Sequence, residues 1–294
     1  MRNIYIYMSA FLILLNGVYA DVSNYGDNSE MIFDGGAEYN EDMGMYGNDQ
    51  FSTAFWVAPT APNSNGDMLI NKEGTYEVYL TSDNKIACAI NTDKESWTGI
   101  TTDVQLTPDE YSHIALTYNQ GTVQIYKDGQ KVYDETPLQN GSLSLYPYYG
   151  YDYKKEDPIY IANRPACGND NGASVNMSGV GIFNRSLTPE EIGKLANGTM
   201  TFEDLNNSGC IFFAPLVNNT DEIMRNVTNG TLSGSTIDFI EGQAPEPLIR
   251  MMDPDSFYGA PAQPPAQPVK TPIPLPALLL TISLTTYVAL RKRS

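Results

Sequence analysis

Hydrophobic and polar positions alternate with a period of two through much of the chain, most clearly over residues 110–134, EYSHIALTYNQGTVQIYKDGQKVYD. Ile114, Leu116 and Tyr118 fall on one side and Ala115 and Thr117 on the other, the pattern of a half-buried strand. Asn119-Gln120-Gly121 turns the chain into a second strand carrying Val123, Ile125 and Tyr126. Lys127-Asp128-Gly129-Gln130 then turns it into a third, starting at Lys131-Val132-Tyr133. Asp-Gly between alternating apolar runs signals a hairpin, because a tight hairpin turn needs positive φ. The same period sets Phe51, Thr53, Phe55 and Val57 opposite Ala54, Trp56 and Ala58. Residues 76–80 and 85–90 make another hairpin around Ser82-Asp83-Asn84, with Ile86, Cys88 and Ile90 on one face. Short strands at intervals of about 8–12 residues predict an antiparallel two-sheet sandwich. One helix signal stands out. Thr188 is a good N-cap, Pro189 suits the first helical position, and Glu191 completes a capping box, so a short helix is predicted over 189–196.

Composition narrows the partners. The chain has 294 residues and a net charge of −18, with 17 Lys and Arg against 35 Asp and Glu. Nucleic acids and anionic membranes select cationic patches, so both are excluded as expected partners. Excess acid is compatible with bound Ca2+, although exposed carboxylates mostly solvate a surface. Twenty tyrosines are enough to build both a core and sugar-stacking surfaces.

Several segments together resemble laminin-G-like domains of the concanavalin A-like lectin/glucanase superfamily. The strand Tyr111-Ser112-His113-Ile114-Ala115-Leu116-Thr117-Tyr118 is similar to the family's W-x-H-V-A-x-T-Y. Val123-Gln124-Ile125-Tyr126-Lys127-Asp128-Gly129 is similar to its V-x-L-Y-V-N-G. Met31-Ile32-Phe33-Asp34-Gly35, Phe51 to Pro59, Met68 to Gly74 and Pro158 to Ala162 each resemble a family strand in order. Val180 to Ile192 resembles V-R-I-Y-N-R-A-L-S-x-E-E-I. The resemblance implies an all-β, two-sheet antiparallel jelly-roll sandwich over residues 21–242, with one short helix. Where the family has I-D-D-V, this chain has Met177-Ser178-Gly179-Val180, which removes carboxylates a calcium site would need. The late segment 211–216 resembles the family's opening strand. It is expected to complete the same sandwich near Met31 to Phe33, since about 35 residues cannot bury a second core.

The two ends read differently from the body. Arg2, the apolar run 4–15 and Val18-Tyr19-Ala20 have the layout of a secretory signal peptide, with the mature chain starting at Asp21. Residues 243–276 form a Pro-rich stalk. Residues 277–290 are apolar or hydroxylated and precede Arg291-Lys292-Arg293, which suits a membrane anchor with a basic stop. This tail also resembles bacterial PEP-CTERM-type sorting signals. Eight Asn-x-Ser/Thr sequons, at Asn140, Asn176, Asn184, Asn197, Asn206, Asn218, Asn226 and Asn229, point instead to a eukaryotic or viral glycoprotein. The expected location is the cell or virion surface, with the sandwich outside.

Candidate chemistry is sparse. The paired carboxylates of a retaining hydrolase, E-x-D-x-x-E in laminarinase-like relatives, are missing, so a non-enzyme is expected. The single histidine, His113, sits inside a strand and reads as a packed residue. The best ligand-binding candidates are Trp97 and the tyrosine-rich loop Tyr146 to Lys155, above all Tyr148, Tyr149, Tyr151 and Tyr153, whose aromatic faces can stack on sugar C–H surfaces. Three cysteines leave one unpaired. Cys88 belongs to the core, which leaves a Cys167–Cys210 disulfide as the hypothesis. The expected function is a membrane-anchored, lectin-like surface protein binding a glycan or an extracellular protein. The alternative is a structural coat protein without a small ligand, and a glycoside hydrolase ranks last.

Overall fold

A computed structural model describes residues 20–25, 30–60, 66–147, 153–164, 172–216, 220–225, 228, 230–233, 237–241 and 245–252. The predicted stalk, anchor and basic tail beyond residue 252 lie outside the described residues, as does the leader up to residue 19. The strands are β1 (Ala20–Tyr25), β2 (Glu30–Phe33), β3 (Gln50–Pro59), β4 (Asp67–Lys72), β5 (Tyr76–Leu80), β6 (Lys85–Ile90), β7 (Thr98–Gln105) and β8 (Ser112–Asn119). They continue with β9 (Thr122–Lys127), β10 (Gln130–Glu135), β11 (Ile159–Ile161), β12 (Ser174–Phe183), β13 (Cys210–Ala214), β14 (Thr231–Ser233) and β15 (Ile237–Glu241). Among the described residues four helices accompany them: α1 (Ala37–Gly44), α2 (Pro189–Asn197), α3 (Phe202–Asn207) and α4 (Glu246–Met252).

The strands form two antiparallel sheets, as the alternation and the resemblance imply. One has eight strands in the order β10-β9-β8-β3-β12-β1-β15, with β13 also on β12; the other has seven, β14-β2-β11-β4-β5-β6-β7. The predicted meander is β8-β9-β10 at one edge of the first sheet. Between the sheets lies one apolar core, filled by Phe51, Phe55, Ile114, Leu116 and Ile125 from one side and Phe33, Ile70, Tyr76, Val78 and Cys88 from the other. Phe51 stacks on Tyr76 at 5.0 Å, and Phe33 meets Phe212 edge-on at 4.8 Å, so aromatic contacts join the layers.

The eight-stranded sheet buries its outer face as well. Ala54, Trp56, Ala115, Tyr126, Phe183 and Phe213 pack there against Ile192 and Leu195 of α2, Leu205 of α3, and Leu248 and Met251 of α4. The predicted capping box of α2 is present, with the Thr188 hydroxyl accepting from the Glu191 N–H and the Glu191 carboxylate accepting from the Thr188 N–H. Arg185 pairs with the same carboxylate at 3.0 Å through Nη1, tying the helix start to the end of β12.

Three helices go beyond the single one expected. α3 starts from a second capping box, Thr201 with Asp204, that the sequence reading passed over. α1 starts at Gly36 without a side-chain cap, and its anchors Tyr39 and Met43 are buried by the sandwich, so tertiary packing carries it. α4 extends the folded unit to Met252, past the predicted boundary at residue 242, because Leu248 and Met251 close the outer layer.

The late strand β13 completes the same sandwich but not beside β2. It pairs with β12, from Val180 to Phe183, and its Phe212 ring meets Phe33 across the core. β14 takes the position next to β2 instead. The reason is a break in β12. Its first half pairs with β1 and its second half with β13, and the change falls at Gly179, φ +60, whose N–H donates to Pro215 O at 2.8 Å. A Cβ there would lie 2.7 Å from the Trp56 ring, so the position where the family carries an acid is a close-packed bulge.

Cys88 is fully buried as expected, and burial pushes its thiol well above the usual range. Cys210 carries a free thiol that donates to Phe212 O at 3.2 Å; Cys167, its predicted partner, lies outside the described residues.

His113 is buried against Trp56, ring centroids 4.6 Å apart, with neither ring nitrogen hydrogen-bonded to a protein group. Burial lowers its pKa to about 3, so the folded chain keeps it neutral. The unfolded chain takes up a proton near pH 6.5 and the folded one does not. The His113 contribution to stability is therefore full above that pH and falls by up to about 1.4 kcal/mol per pH unit as pH drops toward 3. Urea titrations of wild type and His113→Phe between pH 7 and 4 should show wild type losing more stability than the variant as pH falls. Parallel pH profiles would remove His113 as its source.

Candidate functional site

The register of the seven-stranded sheet creates the site. Ile70, Val78, Cys88 and Ile100 are cross-strand partners and all point into the core. The adjacent row, Asn71, Glu77, Ala89 and Gly99, therefore points outward, since successive side chains alternate faces. Ala89 and Gly99 are small, so the row is a shallow trough with the Glu77 carboxylate at one end.

Two loops stand over this trough and are zipped to one another. Thr92 and Leu143 form an isolated bridge, Asp93 N–H donates to Ser142 O at 2.9 Å, and Asn91 Nδ2 donates to Ser144 O at 2.6 Å. The first loop ends at Trp97, held at φ 33 in the left-handed region, an uncommon conformation for a bulky residue. The second ends at Tyr146, whose N–H donates to Gly74 O at 2.8 Å. The two rings meet at 6.1 Å and 55°, forming one tilted aromatic wall.

A third segment brings Tyr153. Lys72 is fully buried at the end of β4, and its ammonium donates to Lys155 O at 2.8 Å and to Asp157 O. Asn40 Nδ2 donates to Glu156 O at 2.8 Å, so three consecutive carbonyls are fastened from below. Gly74, φ +71, allows the close approach: a Cβ there would lie 2.8 Å from Leu145 Cδ1 and 3.3 Å from Tyr153 Cβ.

Arg164, just after β11, joins the floor to the wall. Its Nη1 contacts Glu77 Oε2 at 2.8 Å and its Nε lies 3.5 Å from Glu73 Oε1, while its guanidinium sits 5.6 Å from the centre of the Trp97 ring. Asn71 Nδ2 donates to the same Glu73 oxygen at 2.6 Å. Burial raises the pKa of both carboxyls and Arg164 opposes the rise. The result is a cleft of about 390 Å³ lined by Glu77, Ala89, Trp97, Gly99, Tyr146, Tyr153 and Arg164. Its volume falls within the range of small-ligand sites.

Of the predicted binding residues, Trp97 and Tyr153 come together here. Tyr148, Tyr149 and Tyr151 lie outside the described residues. Tyr146, which opens the tyrosine-rich loop, lines the cleft as well; Glu77 and Arg164 were missed by the sequence reading. Lone residues in separate strands and loops carry no motif, although Glu77 at a polar position in an alternating strand could have flagged the outward face. Among the described residues no group of three or more His, Cys, Asp or Glu side chains gathers to hold a metal such as Ca2+. Asn140, Asn184, Asn197 and Asn206 are exposed. Asn176 is buried in β12 between two neighbouring strands, and Asn218, Asn226 and Asn229 fall outside the described residues.

The comparisons with known proteins agree with this architecture. The family model Laminin_G_3, of the concanavalin A-like lectin/glucanases superfamily, matches residues 34–193, more than half of the chain. The chain belongs to this family. A crystal structure from Bacteroides ovatus, described as that of a candidate carbohydrate binding protein, superposes with a TM-score of 0.53 at 14% identity. The match covers 76% of this chain and 59% of that one, so the chain spans under two thirds of that structure's length. The heptameric SAP-like pentraxin of Limulus polyphemus matches with a TM-score of 0.43 and 12% identity, over 62% of this chain and 82% of that one. No curated protein matches the sequence significantly.

Removing Arg164 should expose the cost of the two buried carboxylates. Arg164→Met leaves Glu73 and Glu77 without their counter-charge, and their pKa values rise further above those of the unfolded chain. Stability should fall by roughly 3 kcal/mol at pH 7. The deficit should shrink toward pH 5, because the carboxyls then fold protonated and the penalty grows only as pH rises. Urea titrations at the two pH values, read by Trp fluorescence, measure both quantities. An equal deficit at both would show that the carboxylates are not the cause.

Proposed function

We propose that this chain is a carbohydrate-recognition module and that the cleft over the seven-stranded sheet is its binding site. The observation that carries the reading is the tilted aromatic wall of Trp97 and Tyr146 beside an outward-facing carboxylate–guanidinium pair. A sugar ring offers a C–H face to stack on aromatic surface and hydroxyls that both donate and accept. Glu77 accepts and Arg164 donates, so the pair matches a vicinal diol. The zipped loops and fastened carbonyls hold these groups before any ligand arrives, which reduces the ordering cost of binding. Family membership and the carbohydrate-binding description of the Bacteroides ovatus structure support the same reading.

Recognition without chemistry follows from how the two carboxylates are held. Glu73 is 1% exposed and behind Arg164, and Glu77 is paired with the same guanidinium. Neither is set to protonate a leaving group across a bound chain, as the acid of a glycosidase must.

The proposal also covers location. The leader at residues 1–20 and the tail at 277–290 with its closing Arg-Lys-Arg support export and anchoring, with the domain on the outer surface. In a eukaryotic secretory route, Asn140, Asn184, Asn197 and Asn206 would be acceptors and Asn176 would not.

A glycan array with the full-length protein tests the reading. At least one glycan should bind, and Trp97→Ala and Tyr146→Ala should each weaken it about tenfold or more, near 1.4 kcal/mol. Release of reducing sugar from the bound glycan, or binding indifferent to both substitutions, would overturn it. A chain that binds no glycan favours the structural-coat alternative.

A further inference from the structure

Resting on the cleft as a sugar site, we infer that its ligands are neutral glycans and that the buried Glu73–Arg164–Glu77 triad is the device that excludes acidic ones. Among the described residues lining the cleft, Arg164 is the only basic side chain, and acidic sugars bearing carboxylate or sulfate require such a group. Here the guanidinium is already engaged by two carboxylates, Glu77 at 2.8 Å and Glu73 at 3.5 Å, and it is only 14% exposed. Two negative charges therefore surround one positive charge, and an arriving anion meets a net negative floor.

The surroundings strengthen this. Lys72, a second buried cation, donates its ammonium to the carbonyls of Lys155 and Asp157 and does not line the cleft. Lys155 leans over the Tyr46 ring at 5.0 Å and lines a different depression with Glu41 and Asp42. Asp157 adds a further negative charge close enough to raise the Glu73 carboxyl. The whole chain carries −18, so the long-range field also opposes anions. Neutral sugars incur none of these penalties. Their hydroxyls can accept from the guanidinium edge and donate to the Glu77 oxygens without displacing the ion pair, and stacking on Trp97 and Tyr146 is indifferent to charge.

Glu73 and Glu77 thus act as specificity-determining residues of different kinds. Glu77 lines the cleft and touches the ligand, and Glu73 acts through Arg164 by holding and neutralising it. Replacing either carboxylate by its amide keeps the shape and frees part of the guanidinium charge. The geometry then predicts a gain: an anionic glycan that wild type rejects should begin to bind.

The experiment titrates the full-length protein with cellohexaose, xylohexaose and laminarihexaose as neutral probes. Oligogalacturonate, alginate hexamer and sialyllactose serve as acidic ones, at low and at about 0.5 M salt. Wild type should bind at least one neutral probe and bind every acidic probe at least about tenfold more weakly, with the gap narrowing in high salt as charges are screened. Glu73→Gln and Glu77→Gln, checked for folding by thermal unfolding, should each close the gap by about tenfold for an acidic probe. The wild-type panel stands even where a variant fails to fold. Tighter binding of an acidic probe that is lost in Trp97→Ala overturns the neutral-ligand inference and leaves the cleft a sugar site. Binding of no probe, or binding untouched by Trp97→Ala, overturns the sugar site itself and this inference with it.

Discussion

Burial of one cross-strand row, Ile70, Val78, Cys88 and Ile100, governs what the rest of the molecule can do. In a pleated sheet the next row must face away, so fixing these four residues in the core places Asn71, Glu77, Ala89 and Gly99 on the sheet's opposite face. A slip of one residue in β6 would bring Ala87 and Ala89 into the core, turn Cys88 outward and erase the trough. The core contacts beneath, with Tyr76 stacked on Phe51 of the opposite sheet, make that slip costly. The proposed binding surface is in this sense the reverse side of the hydrophobic core.

The two outer faces of the sandwich have opposite characters. The eight-stranded sheet carries Trp56, Tyr126, Phe183 and Phe213 outward and must cover them, which the helices α2, α3 and α4 do. The seven-stranded sheet carries Glu77, Ala89 and Gly99 outward at the trough, where loops rather than helices arrive. Loops can bring aromatic and charged side chains over a sheet without burying them completely, and a rigid scaffold beneath holds them in place. The division of labour follows from residue chemistry: apolar outward rows attract packing elements, and polar ones leave room for a ligand.

Buried charge is the most expensive feature of the site. Glu73, Glu77, Arg164 and Lys72 are all largely withdrawn from water, and isolated charges in such surroundings would be strongly destabilising. Each is paired: the carboxylates with the guanidinium, the ammonium with two backbone carbonyls. Burial lowers the Lys72 pKa to about 8, with Asp157 and Glu156 opposing the shift. Apolar residues of similar volume would hold the fold as well. The charges instead orient a guanidinium against an aromatic ring and fasten the segment that carries Tyr153, an arrangement that serves the proposed site.

The sequence alone determined most of the strands, though not β1, β7, β14 or β15, together with the hairpin turns, the capping box of α2 and the core role of Cys88 and His113. These depend on local periodicity and on turn and cap chemistry that neighbouring residues supply. It also singled out Trp97 and Tyr153 as aromatic residues in loops. Tertiary structure decided what no local pattern encodes. β13 found β12 rather than β2 because the bulge at Gly179 opened a place for it, and α1 and α4 formed because the sandwich buried their apolar anchors. Glu77, Tyr146 and Arg164 became one site although they lie far apart in the chain, because register and loop pairing are long-range facts. Pairing across a sheet depends on which strands become neighbours, and that is settled by the packing of the whole core.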